Sequence, residues 1–186
     1  MKTLGMVDTK WKIFTTSIDL FSKSGYEKVS IKDIVEAVGI KAASVYYHFG
    51  RKDKMLEQMY EFLYENFNAL VPDLDELVGL IGKMDPIEII RKIPLFYGIE
   101  MELRQLGAKI VAIATMEGCS DGRALNLLED IFMKSPEKYY GTLLTKMIEL
   151  DIIEPLNVEA WVNINRHYSY ATIIRLLGGY VMEYEE

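Results

Sequence analysis

The segment from Ser30 to Lys52 holds side chains of types that can contact a phosphate backbone and read a base edge. If residues 42–49 form a short helix, Val45 and Phe49, with Ala42 one turn earlier, share its apolar face. Ala43, Ser44, Tyr47 and His48 then lie on the opposite face, and Tyr46 on a flank. A small Ala43 permits close approach and contact with a thymine methyl. Ser44 can bond a base edge or a phosphate, and Tyr47 and His48 supply hydrogen bonds to the backbone or a base. Lys52 adds a cation at the start of the next helix, where free backbone amides also favour phosphate. Lys32 and Lys41 extend the positive rim.

The elements that must hold these residues are helices, because helical spacing recurs through the chain and period-two alternation is almost absent. Trp11, Phe14, Ile18 and Phe21 form one stripe of a helix over about Asp8–Ser24, which Gly25 stops. Ser30 caps a second, short helix, with Asp33 three residues on in a capping-box arrangement and Ile34, Val35 and Val38 facing inward. Gly39 turns the chain into the third helix, 42–49, and Gly50 ends it. Two short helices about one glycine have the dimensions of a helix-turn-helix, whose second helix enters the major groove. A longer helix follows from Lys52 to about residue 71, with Leu56, Met59, Leu63, Phe67 and Leu70 on one stripe before Pro72. Beyond it, Asp85-Pro86, Pro94, Gly118, Ser135-Pro136 and Glu154-Pro155 mark joints between five or six further helices. One of these spans Pro136–Leu150 with Ser135 as its cap, and the last runs from about Asn157 to Glu183.

Composition agrees with an all-α, packed protein: apolar residues make up 50% and charged residues 26% of the 186, which argues against disorder. The net charge of −7 hides a split, since residues 1–56 hold 10 Lys/Arg against 6 Asp/Glu and the remainder 11 against 22. A basic end on an acidic body docks on a polyanion in one orientation. A single cysteine, Cys119, excludes an internal disulfide, and two histidines, His48 and His167, leave little for zinc. No apolar run reaches the roughly 18 residues of a membrane span. The start lacks a signal peptide's apolar core, so a soluble, cytoplasmic protein with no membrane partner is expected. With no nucleophile elbow, His-Glu-x-x-His or Walker lysine, neither catalysis nor a metal or other cofactor is expected.

Residues 8–56 resemble the TetR family of bacterial transcriptional regulators. Ser30, Ile34, Gly39, Tyr46, His48, Phe49, Lys52 and Leu56 stand where that family's signature places Thr/Ser, Ile, Gly, Tyr, Tyr/His, Phe, Lys and Leu. Tyr46-Tyr47-His48-Phe49 followed by Lys52 is the most specific stretch, and in the family those aromatic and Lys positions contact phosphates. Lys41 in place of the usual Ser, and Ala43 in place of a common Gly, depart from the pattern. The resemblance implies an N-terminal three-helix DNA-binding domain, 1–56, and a C-terminal helical bundle, 57–186, that binds a small-molecule effector and forms a homodimer through its last two helices. It also implies a repressor that grips a palindromic operator in double-stranded DNA, with Ser30 among the DNA-binding residues. The sequence permits the dimer independently through apolar helix faces, where Gly178-Gly179 would allow close approach; the other reading is that those faces only bury each other within one subunit. Polar or aromatic residues in apolar stretches, Tyr97, Glu100, Arg104, Phe132, Trp161, His167 and Tyr170, are the candidates for lining the effector pocket. The alternatives are a DNA-binding protein of the same fold with a structural or cell-division role and no inducer, and a helical interaction module that has lost DNA binding.

Overall fold

A computed structural model describes residues 8–70, 72–93 and 101–177. Helix α1 (Asp8–Ser24) buries Ile13, Phe14, Ile18 and Phe21 and ends where the Gly25 amide bonds to the Phe21 carbonyl at 2.9 Å. Helix α2 (Ile31–Val38) starts from a complete capping box. The Asp33 amide donates to the Ser30 hydroxyl at 3.2 Å, while the Ser30 amide and hydroxyl donate to one Asp33 carboxylate oxygen at 2.7 and 2.6 Å. The turn to α3 (Ala42–Phe49) passes through Gly39 at φ +78°, a left-handed conformation in which a side chain costs about 1–2 kcal/mol. Helix α4 (Lys52–Leu70) follows.

Phe14 is the hub of the N-terminal packing. Its ring lies parallel to Phe49 of α3 at 6.4 Å, edge-on to Phe62 of α4 at 5.4 Å and beside Trp11 at 5.7 Å. Each such buried side chain contributes roughly 1.5–3 kcal/mol, so α3 is held by its inner face while Tyr46 and Tyr47 stay exposed.

The body comprises α5 (Leu74–Val78), α6 (Pro86–Arg91), α7 (Met101–Glu117), α8 (Gly122–Glu129), α9 (Thr142–Glu149) and α10 (Val158–Leu177), with π-helical turns Asp130–Lys134 and Glu137–Gly141 between α8 and α9. Asp85 caps α6 with Pro86 in its first turn, and Asn157 accepts from the Ala160 amide at the start of α10. Two apolar clusters form. One joins α1–α4 to α7, α8, Ile131 and Phe132; the other gathers Leu77, Ile89, Tyr140, Leu143, Met147 and Val162. The core therefore runs without a break from the N-terminal helices into the body. An ion pair between Lys109 on α7 and Asp19 on α1, at 2.6 Å, adds a polar tie.

Two expectations are corrected. Ser135-Pro136 does not start a helix: residues 122–149 form one unbroken helical run, and the Ser135 amide bonds five residues back to the Asp130 carbonyl. The wider π turns on both sides accommodate a proline that lacks an N–H and whose ring crowds the preceding turn, while buried Ala124, Leu127, Ile131 and Phe132 carry the packing through. Ala42 does not join the apolar face of α3; it is exposed, because Val45 and Phe49 alone reach Phe14 and its neighbours. Pro94 and Gly178-Gly179 lie outside the described residues, as does any part of the last helix beyond Leu177.

Candidate nucleic-acid interface

Helix α3 is anchored through Val45 and Phe49, which are 1% and 4% exposed, and turns Tyr47 outward at 85% exposure. Tyr47 meets the His48 ring edge-on at 5.0 Å, so the two form one aromatic ridge carrying a phenol and an imidazole. Ala43 and Tyr46 are exposed, while Ser44 and His48, which the spacing set on the face opposite Val45, are half-buried. Lys41 sits at the helix start, exposed, and makes no side-chain capping bond there. The substitution of Lys for Ser thus leaves the first turn without a side-chain acceptor and sets a cation beside it, an arrangement that suits a phosphate oxygen.

The flanking residues divide. Lys32 is exposed on α2 and makes no ion pair among the described residues. The Ser30 hydroxyl is engaged by the capping box, so its direct effect is to fix where α2 begins. Hydrogen bonds from the Ser30 hydroxyl and amide hold the Asp33 carboxyl below the ordinary carboxylate range. Lys52 is half-buried, with its ammonium 4.0 Å from the Tyr26 ring centre and 5.8 Å from that of Phe21. Burial pulls its pKa below the ordinary lysine value, against the opposing pull of Glu27 and Glu117.

Two cations escaped the sequence reading. Arg51 is exposed at the turn between α3 and α4, paired with Asp53 at 2.9 Å, and its place beside Lys52 was the signal. Lys12 donates to the Val38 carbonyl at 3.0 Å and so ties α1 to the end of α2; nothing in the spacing announces that contact.

Of the pocket candidates, Tyr97, Glu100 and the side chain of Tyr170 lie outside the described residues. Arg104 is half-buried on α7, Phe132 is in the first core cluster, Trp161 packs edge-on to Tyr140 at 5.2 Å, and exposed His167 has its Nδ1 2.7 Å from the Asn163 carbonyl oxygen. Two cavities are present elsewhere. A groove of about 730 Å³ runs between α9 and α10, and a cleft of about 280 Å³ lies between the second half of α4 and the π turns. None of the four lines either. Among the described residues no cluster of His, Cys, Asp and Glu could hold a metal, and no helix is long and apolar enough to cross a membrane.

Residues 13–59 match the family model described as bacterial regulatory proteins, tetR family. The biofilm operon icaADBC HTH-type negative transcriptional regulator IcaR of Staphylococcus aureus (strain Newman) is 39% identical over 62 residues, 33% of each chain. IcaR of Staphylococcus epidermidis is 38% identical over 58 residues, 31% of each chain. The similarity thus spans about a third of the length of these relatives. Solved structures extend the likeness of fold to nearly the whole chain. The TetR family transcriptional regulator PfmR of Thermus thermophilus matches at 17% identity and TM-score 0.60 over 92% of this chain and 99% of its own. AibR, solved in complex with isovaleryl coenzyme A and operator DNA, matches at 15% identity and TM-score 0.62 over 96% and 91%. The all-helical architecture of an N-terminal helix-turn-helix on a helical body is common to them.

Proposed function

We propose, from the membership of residues 13–59 in the tetR family of bacterial regulatory proteins, that this chain is a homodimeric transcriptional repressor. It binds a palindromic operator in double-stranded DNA and lets go when a small molecule occupies its body. Residues 1–56 form the DNA-binding domain and 57–186 the effector-binding and dimerisation domain. The observation that carries this is the outward ridge of Tyr47 and His48 on a helix anchored by its opposite face, framed by Lys32, Lys41, Arg51 and Lys52. A ridge of this kind enters a major groove, with the cations on flanking phosphates.

Repression is supported by the printed role of IcaR as a negative regulator, and an effector by the combination of a small molecule and operator in the AibR complex. The dimer is supported by α10, which carries the apolar Ile164 and Tyr168 at 68% and 53% exposure. Two copies would set their α3 helices on half-sites about 34–36 Å apart. The test is selection of binding sites from a random duplex pool by the full-length protein at near-physiological salt, where loose phosphate binding is suppressed. The expected product is an inverted repeat of fixed half-site spacing. Absence of enrichment from folded, dimeric protein overturns the proposal.

A further inference from the structure

We infer that the cleft between the second half of α4 and the π-helical turns is a binding site for a small aromatic monocarboxylate, with Lys138 receiving the carboxylate. This rests on the effector reading above and names the ligand class.

Size comes first. At about 280 Å³ the cleft lies just below the roughly 300 Å³ at which small-molecule pockets begin, which suits one ring with a short side arm. The walls suit a ring: Phe67 and Ile131 are buried, and Tyr64 and Tyr139 flank them. Asn68 and Ser135 add polar groups at the edge.

Charge decides the rest. Two lysines enter the cleft. Lys134 is neutralised, with Asp130 at 2.7 Å and Glu129 at 3.8 Å, and the pairing holds its ammonium above the ordinary lysine range. Lys138 has no carboxylate within ion-pair distance among the described residues; its ammonium lies 5.3 Å from the Tyr139 ring centre. The neighbouring acid, Glu137, is turned to Arg166 at 2.9 Å. The cleft therefore holds one uncompensated positive charge beside aromatic walls, the complement of a ring that carries one negative charge.

The experiment titrates the full-length protein calorimetrically with phenylacetate and with phenylacetamide, its uncharged counterpart. Phenylacetate is expected to bind once per chain, at least tenfold more tightly than the amide. Lys138→Gln removes that preference and leaves the amide unaffected. Tyr64→Ala, at an exposed residue, weakens acid and amide alike. Equal affinity of acid and amide, an acid affinity unchanged in Lys138→Gln, or no heat from either compound overturns the site. A parallel operator titration separates this inference from the reading beneath it. Lys138-dependent binding of phenylacetate that leaves operator affinity unmoved keeps the site and removes the effector mechanism. A selected operator bound by protein that ignores phenylacetate keeps the regulator and removes the site.

Discussion

Replacing Lys52 with Ala separates what this side chain does for the fold from what it does for DNA, because the two effects respond differently to salt. In the free protein its ammonium rests 4.0 Å from the Tyr26 ring centre in a half-buried position, a cation–π contact of about 0.5–1 kcal/mol. For a chain of this length that loss lowers the melting temperature by about 1–4 °C. If the same ammonium neutralises one phosphate in the complex, its removal reduces the slope of log K against log salt by about 0.9. Between about 50 and 200 mM salt the affinity deficit of the variant relative to the parent then shrinks about 3.5-fold. Fluorescence anisotropy on the selected operator at four or five salt concentrations reads this directly. Tyr26→Leu completes the test: it keeps an apolar side chain on Phe21 and releases Lys52, so operator affinity rises about two- to fivefold, the equilibrium equivalent of the same contact. A Lys52→Ala slope equal to the parent's, with Tyr47→Ala binding lost, would show that the ammonium stays on Tyr26 in the complex and refute its assignment to a phosphate.

Tyr47→Ala should cut operator affinity at least tenfold while leaving the thermal melt unchanged, since the side chain is 85% exposed; a melt that falls with the affinity would refute a purely groove-facing role. Gly39→Ala should cost about 1–2 kcal/mol in chemical denaturation, because φ is +78° while nothing lies within 4 Å of an added Cβ, so the strain is in the backbone alone. Gly39→Asn should cost less, and equal losses would contradict that account. The Asp33 carboxyl is held below its ordinary range chiefly by the Ser30 hydroxyl, so the capping box stabilises the fold above the ordinary carboxylate pKa and loses that effect as pH falls through the lowered one. The melting-temperature gap between parent and Ser30→Ala should accordingly narrow on acidification from about pH 6 to about pH 2, down to the share of the Asp33 amide bond to the hydroxyl; a constant gap would mean that the hydroxyl acts without the carboxylate.

The N-terminal helices were legible because local chemistry and packing agree there. Ser30 with Asp33, then Gly25, Gly39 and Gly50, set the ends of α1–α3, and the apolar stripe of α1 is the face that meets α3 and α4. Where the two disagree, local signals misled. Pro136 reads as a helix start, yet the buried faces of α8 and the π turns carry one helix through it at the cost of widened turns. Contacts that join distant residues have no spacing to betray them, and the stacking of Lys52 on Tyr26 is of this kind. So is the cleft that pairs Tyr64 and Phe67 with Ile131, Lys138 and Tyr139, residues some seventy positions apart. Polarity within apolar stretches selected Phe132 and Trp161, which pack in the two apolar clusters.

The division proposed at residues 56 and 57 falls inside α4, and this bears on how release could work. Lys52 begins that helix and Phe67 lies fifteen residues on, about 22 Å along its axis at 1.5 Å per residue. The cleft and the proposed DNA-facing end thus share one continuous helix. The apolar cluster shared by α1–α4, α7 and α8 and the Lys109 and Asp19 pair join the N-terminal helices to the body. A hundredfold fall in operator affinity requires an effector to favour the released arrangement by about 2.7 kcal/mol, and operator must weaken effector binding by the same factor. One ion pair in the cleft, worth at most a few kcal/mol when partly desolvated, meets that requirement only if it forms in one arrangement of α4 and is lost in the other. The coupling then depends on how far Tyr64 and Phe67 move relative to Lys138, and the strength of binding alone does not set it.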